Sequence, residues 1–116
     1  MDKTEQLLQE LTDAYGAPGH EGEIARIMQQ HLKPLCDDIS FDKLGSIVAR
    51  KKGAFDGPRV MIAGHMDEVG FIVSEITKKG FIKFLPLGGW WGHVALAQRV
   101  IIMTGKGPVI GVVGST

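Results

Sequence analysis

The run Val60-Met61-Ile62-Ala63 is apolar at every position and then breaks at Gly64 into His65-Met66-Asp67-Glu68. A strand that is apolar on both faces belongs inside a sheet covered on both sides, the arrangement of α/β proteins. Gly64 lets the backbone leave such a sheet without a Cβ clash. His65 then emerges at the strand's carboxyl end, where open α/β sheets gather their ligand sites. Val60 to Ala63 are therefore expected to form a buried strand, and the polar residues after them a candidate site.

His65 and Asp67 stand two apart, so in extended backbone their side chains project from one face. A carboxylate there can take the free ring N–H of a ligating imidazole, fix its tautomer and raise its basicity. The pair suits one metal ligand plus one orienting acid. The same spacing also serves a structural histidine hydrogen-bonded to its neighbour, so the pair alone leaves both readings open. Glu68 points the other way in extended chain and needs a different role.

Before this segment the periodicity is helical. Leu7, Leu8, Leu11, Ala14 and Tyr15 recur at helical spacing, which predicts a helix over residues 3 to 15 that Gly16 stops. The turn Gly16-Ala17-Pro18-Gly19 feeds a second helix, with Glu21 and Glu23 at its positive end and Ile24, Ile27, Met28, His31, Leu32 and Leu35 along one face. Pro34 marks its last turn or a kink. The period then changes to two, predicting an antiparallel pair from Ile39–Phe41 and a strand over 44–50, followed by a polar loop over 51–58.

After Gly70 the pattern is strand upon strand. Phe71–Ile76 with Phe81–Leu85, and Arg99–Met103 with Val109–Val113, read as two hairpins without a helix of useful length between them. Short strands without helices predict a small barrel or sandwich. The expected organisation is thus an α/β part over residues 1–70 and a β-rich, barrel-like part over 71–116.

Composition narrows the chemistry. Among 116 residues, Lys plus Arg and Asp plus Glu both number 13, which leaves no basic field for a nucleic-acid backbone. The single cysteine, Cys36, excludes an internal disulfide and a Cys-rich zinc site, so histidine and carboxylates are the available metal ligands. A polar amino terminus and the lack of an apolar run near 20 residues predict a soluble, cytoplasmic protein with no membrane partner. No Gly-rich phosphate loop, His-Glu-x-x-His helix or Gly-x-Ser-x-Gly elbow is present.

The remaining candidates have plainer readings beside the functional ones. His20 is expected on an exposed turn, His31 on the apolar face of the second helix as a packed core or interface histidine, and Cys36 as a small apolar residue near that helix's end. Asp37 and Asp38 read as turn caps. His93 follows Gly88-Gly89-Trp90-Trp91-Gly92, a loop that can anchor itself between strands, line a cleft or meet a second subunit.

Five ordered motifs carry a resemblance: Gly16-x-Pro18-Gly19-x-Glu21, Asp42-x-Leu44-Gly45-Ser46, the run from Met61 to Phe71, Gly88-Gly89-Trp90, and Gln98-Arg99-Val100. Together they resemble the dinuclear metal aminopeptidases of the glutamyl and tetrahedral aminopeptidase family, members of which have also been labelled glucanases or cellulases. The resemblance implies an α/β peptidase domain with a β-rich domain inserted after the His/Asp segment. It makes His65 the candidate metal ligand and Asp67 the candidate catalytic acid that orients it. It implies two divalent ions, zinc or cobalt, short peptide substrates, and homo-oligomers from dimers to dodecamers. The bridging aspartate, general-base glutamate and remaining ligands of that family find no match before Thr116. The chain is accordingly expected to be the amino-terminal portion of such an enzyme, inactive by itself.

Two other functions compete. A non-catalytic module for self-association or peptide binding would use the β-rich half and the Trp90-Trp91 loop. A glycoside hydrolase would need paired carboxylates flanking a sugar bond, and adjacent Asp67 and Glu68 point to opposite faces of an extended segment, so this reading is set aside.

Overall fold

The computed structural model describes residues 2–115. Helix α1 spans Lys3–Asp13 and opens with a capping box. The Asp2 carboxylate accepts from the Thr4 and Glu5 amides at 2.8 Å, and Glu5 reaches back to the Asp2 amide. The helix ends two residues short of the predicted Tyr15, because Ala14 turns extended and enters the core at 5% exposure. Helix α2 spans Gly22–Leu32, so Pro34 lies beyond its end instead of kinking it. Glu21 spends its carboxylate on the Gly19 amide at 2.7 Å and gives the helix no side-chain cap.

The two helices build the only sizeable packed cluster among the described residues. Ala14, Ile24 and Ile27 are buried together, and Leu11, Met28 and Met66 pack against them. His31 departs from the expectation of a packed apolar-face histidine. Its Nε2 stands 2.8 Å from the Glu10 carboxylate with some two-fifths of each side chain exposed, so it ties α2 to α1 by a polar link. That hydrogen bond, above all, holds the Glu10 carboxyl below its ordinary 4.5.

Strands β1 (Asp38–Phe41) and β2 (Ile47–Arg50) pair antiparallel, from Asp38 opposite Arg50 to Phe41 opposite Ile47, as the alternating pattern predicts. Asp42 organises their turn by accepting from the Leu44 and Ser46 amides, both at 2.8 Å, while Gly45 takes a φ of 93°. Asp37 caps the far end of the pair through the Lys52 amide, in keeping with its turn-cap reading.

The predicted strand over Val60–Ala63 does not form. These residues join no ladder, and Val60, Met61 and Ile62 are 84%, 89% and 95% exposed. An apolar run becomes a buried strand only when neighbouring strands take its N–H and C=O groups, and no strand among the described residues does so. The sequence pattern specifies the residues' preference for cover but not the presence of a cover.

Beyond this segment lie β3 (Gly70–Ile76), β4 (Ile82–Leu87), the single-turn helix α3 (Gly92–Ala95), β5 (Arg99–Thr104) and β6 (Gly107–Val112). The antiparallel pairs β3–β4 and β5–β6 are the two predicted hairpins, the first with a bulge between Val73 and Glu75. Among the described residues the three hairpins stay separate two-stranded sheets. Solvent consequently reaches most strand faces. The accessible surface is 10230 Å², against about 6,200 Å² for a compact monomer of this mass. The radius of gyration, 18.4 Å, likewise exceeds the roughly 13 Å of a compact domain of this length.

Candidate functional site

His65 and Asp67 come together as their spacing predicts. The ring Nδ1 of His65 lies 3.0 Å from the Asp67 carboxylate and also 3.0 Å from the Asp67 backbone carbonyl. Both neighbours are acceptors, so a hydrogen-bonded Nδ1 must carry the proton. The lone pair of the neutral ring is then on Nε2. With the side chain 85% exposed, that nitrogen has open space before it. This is the tautomer and orientation a ligating histidine needs.

The segment that carries the pair is fastened on its two sides. Toward the helices, the Glu68 amide donates to the Gly16 carbonyl at 2.8 Å, and Met66 packs on the Ala14–Ile24–Ile27 cluster. Toward the hairpins, the Trp90 indole N–H donates to the Gly70 carbonyl at 2.9 Å. The Trp90 ring stacks on Phe71 with centroids 4.6 Å apart, and Phe71 in turn meets Phe84 at 4.6 Å. Gly88 presses its α carbon onto Val69, where an added Cβ would fall 2.7 Å from Val69 Cγ1. Trp90 therefore anchors its loop within the chain, whereas the adjacent Trp91 is 77% exposed.

The other candidates stay apart from the pair. His20 is exposed on the α1–α2 turn, His31 is engaged with Glu10, His93 sits on α3, and Cys36 is a partly exposed free thiol after α2. No group of three or more His, Cys, Asp or Glu side chains among the described residues could hold a metal ion. The donor chemistry at His65 fits one ligand of such a site and not a complete set. The sequence marked Gly16 as a helix stop and left the Trp90 loop open between an internal anchor, a cleft lining and a subunit contact, and it gave no sign of their grip on the His/Asp segment.

Comparison with known proteins bears on all five motifs. The profile of the family described as M42 glutamyl aminopeptidase matches residues 45–116, and one described as AMPT matches residues 2–28. The FrvX protein of Escherichia coli strain K12 is 48% identical over 111 residues, covering 95% of this chain and 31% of FrvX. The crystal structure of a TET aminopeptidase from Thaumarchaeota archaeon SCGC AB-539-E09 superposes with a TM-score of 0.92 at 46% identity, over 98% of this chain and 32% of that one. The TET1 peptidase of Pyrococcus horikoshii, described as assembling into a tetrahedron or a large octahedral shell, matches with a TM-score of 0.84 at 26% identity, over 98% of this chain and 34% of that one. The chain thus spans about a third of the length of these relatives.

Proposed function

Because the chain belongs to the M42 glutamyl aminopeptidase family, we propose that the whole protein is a metal-dependent aminopeptidase and that this chain supplies His65 as a metal ligand and Asp67 as the acid that orients it. The observation that carries this reading is the double hold on His65 Nδ1, by the Asp67 carboxylate and carbonyl at 3.0 Å each, which leaves Nε2 free at an exposed position. Imidazole suits zinc and cobalt. A pair of such ions, when bound, supplies a nucleophilic water and polarises the scissile carbonyl of a short peptide.

The chain's own contribution is positional. Asp67 keeps the proton on Nδ1 and the ring in one orientation, and the Gly16 and Trp90 anchors hold the backbone beneath it. Further ligands and a general base come from polypeptide outside this chain, and the chain by itself is inactive. That polypeptide also covers Val60 to Ile62 and the hairpin faces. We assign residues 1–70 to the peptidase domain and 71–116 to an inserted domain that builds homo-oligomers, as the assemblies of the Pyrococcus horikoshii relative suggest. No helix among the described residues is long and apolar enough to cross a membrane.

Addition of Co²⁺ to the chain tests the ligand assignment. Paramagnetic broadening should reach the His65 ring signals before those of His20, His31 and His93, which serve as internal controls. Equal or absent broadening at His65 removes it from the ligand set. For activity, the product of the whole gene loaded with Zn²⁺ or Co²⁺ should release N-terminal residues from short peptides, and a His65→Ala variant should not. A second reading, self-association without catalysis, is favoured by the exposed Trp91 and by Val94 and Leu96, both 54% exposed. A strictly monomeric chain in sedimentation would remove it.

A further inference from the structure

We propose that the Gly16–Ala17 corner between the helices is the positioning element for the His65–Asp67 pair, and that Gly16 is glycine because Ile24 and the Met66 carbonyl together close the space a side chain would need. The role rests on the ligand reading of His65; the geometry does not.

Three close approaches converge on residues 66–70. The Gly16 carbonyl accepts from the Glu68 amide at 2.8 Å. A Cβ built on Gly16 would stand 2.3 Å from Ile24 Cδ1 and 3.2 Å from both Ile24 Cγ1 and the Met66 carbonyl oxygen. A Cβ on Gly70 would stand 3.0 Å from the Ala17 Cβ. The corner therefore touches the segment at its beginning, middle and end.

Backbone conformation does not explain the glycine. Gly19 and Gly45 adopt φ of 82° and 93° with nothing within 4 Å of an added Cβ, so their turns require them. Gly16 has no positive φ and is buried against neighbours. Its constraint is volume.

The Met66 carbonyl lies on the peptide that joins Met66 to Asp67, between the two residues of the pair. Ile24 is a flexible side chain and can yield to a new methyl group, but the carbonyl is backbone. Displacing it moves Asp67, and with it both acceptors of His65 Nδ1–H. Hydrogen bonds weaken steeply as distance and angle degrade. A methyl group at position 16 should thus release the imidazole from its single tautomer while the helices remain formed.

The experiment compares the wild-type chain with Gly16→Ala, Ile24→Val and the double variant Gly16→Ala/Ile24→Val, by ¹⁵N NMR of the His65 ring and amide exchange at Glu68. Ile24→Val removes Cδ1, the 2.3 Å obstacle, so the double variant keeps only the two neighbours at 3.2 Å, the γ carbon of residue 24 and the Met66 carbonyl oxygen. Both Gly16→Ala variants should lose the Nδ1–H preference and exchange the Glu68 amide about tenfold faster, while Ile24→Val retains both. Unchanged Ser46 amide protection in the Asp42 turn reports that the chain is still folded. A folded double variant with wild-type His65 tautomer and Glu68 exchange overturns the proposal, as does a wild-type ring without the Nδ1–H preference. If the tautomer depends on Gly16 but the ring ignores Co²⁺, positioning stands and the ligand reading falls.

Discussion

Ile24 on α2 is 7% exposed, whereas Ile110 on β6 is 70% exposed, although both lie in regular secondary structure. The helical region finds its apolar partner locally, since a tight turn folds α2 back on α1. A hairpin satisfies its inner backbone groups by pairing, yet it needs a second layer before its side chains leave water. The contrast separates what short-range sequence can complete from what requires distant chain. His65 and Asp67 lie where these two regimes meet.

The sharpest attack on this contrast is a pair of truncations. Ile24→Ala should cost about 2–5 kcal/mol in urea unfolding followed by circular dichroism, because it opens a hole in the Ala14–Ile24–Ile27 cluster. Ile110→Ala should change stability by no more than about 0.5 kcal/mol. Comparable losses would mean that the hairpins share a hidden core.

The joint between the regimes can be probed at Trp90. Trp90→Phe keeps a ring for Phe71 but deletes the donor to the Gly70 carbonyl, with an expected loss of about 1 kcal/mol. Trp90→Ala should lose more, since the stack goes as well. An equal loss in the two would place all of the anchor's contribution in the hydrogen bond.

Acid gives the finest discrimination. The Asp42 carboxyl is held below its ordinary 3.8, first by the Ser46 side chain and then by the Ser46 and Leu44 amides. Glu10 is likewise held below 4.5, first by His31. A depressed carboxyl stabilises the fold above its unfolded value, and that contribution disappears as pH falls through the folded one. The Asp42 turn and the Glu10 link between the helices should therefore stay intact at pH 5 and loosen in acid below their ordinary values. Amide exchange at Ser46 and the side-chain carboxyl ¹³C shift of Glu10 would report each. Loosening at pH 6 to 7 in either would contradict the assigned contacts.

The elements that were legible in the sequence are those whose signals are local. Helical spacing and the alternation of the hairpins act within a few residues, and the His-x-Asp spacing placed its two side chains correctly. Val60 to Ala63 misled because an apolar run states a demand for cover that only remote strands can meet. His31 looked like a core residue by periodicity, but its partner Glu10 lies 21 positions away. The contact of Gly16 with Met66 was invisible for the same reason.

Among the described residues, each hairpin leaves both of its outer edges without a neighbouring strand. Unpaired strand edges template further strands and are a route to polymerisation. Here β4 carries Lys83 and Pro86, β6 carries Pro108, and β3 is kinked by its bulge. A proline offers no amide to an incoming chain, and a charge or a kink spoils its alignment. The borders formed by β3, β4 and β6 are thus guarded against casual pairing.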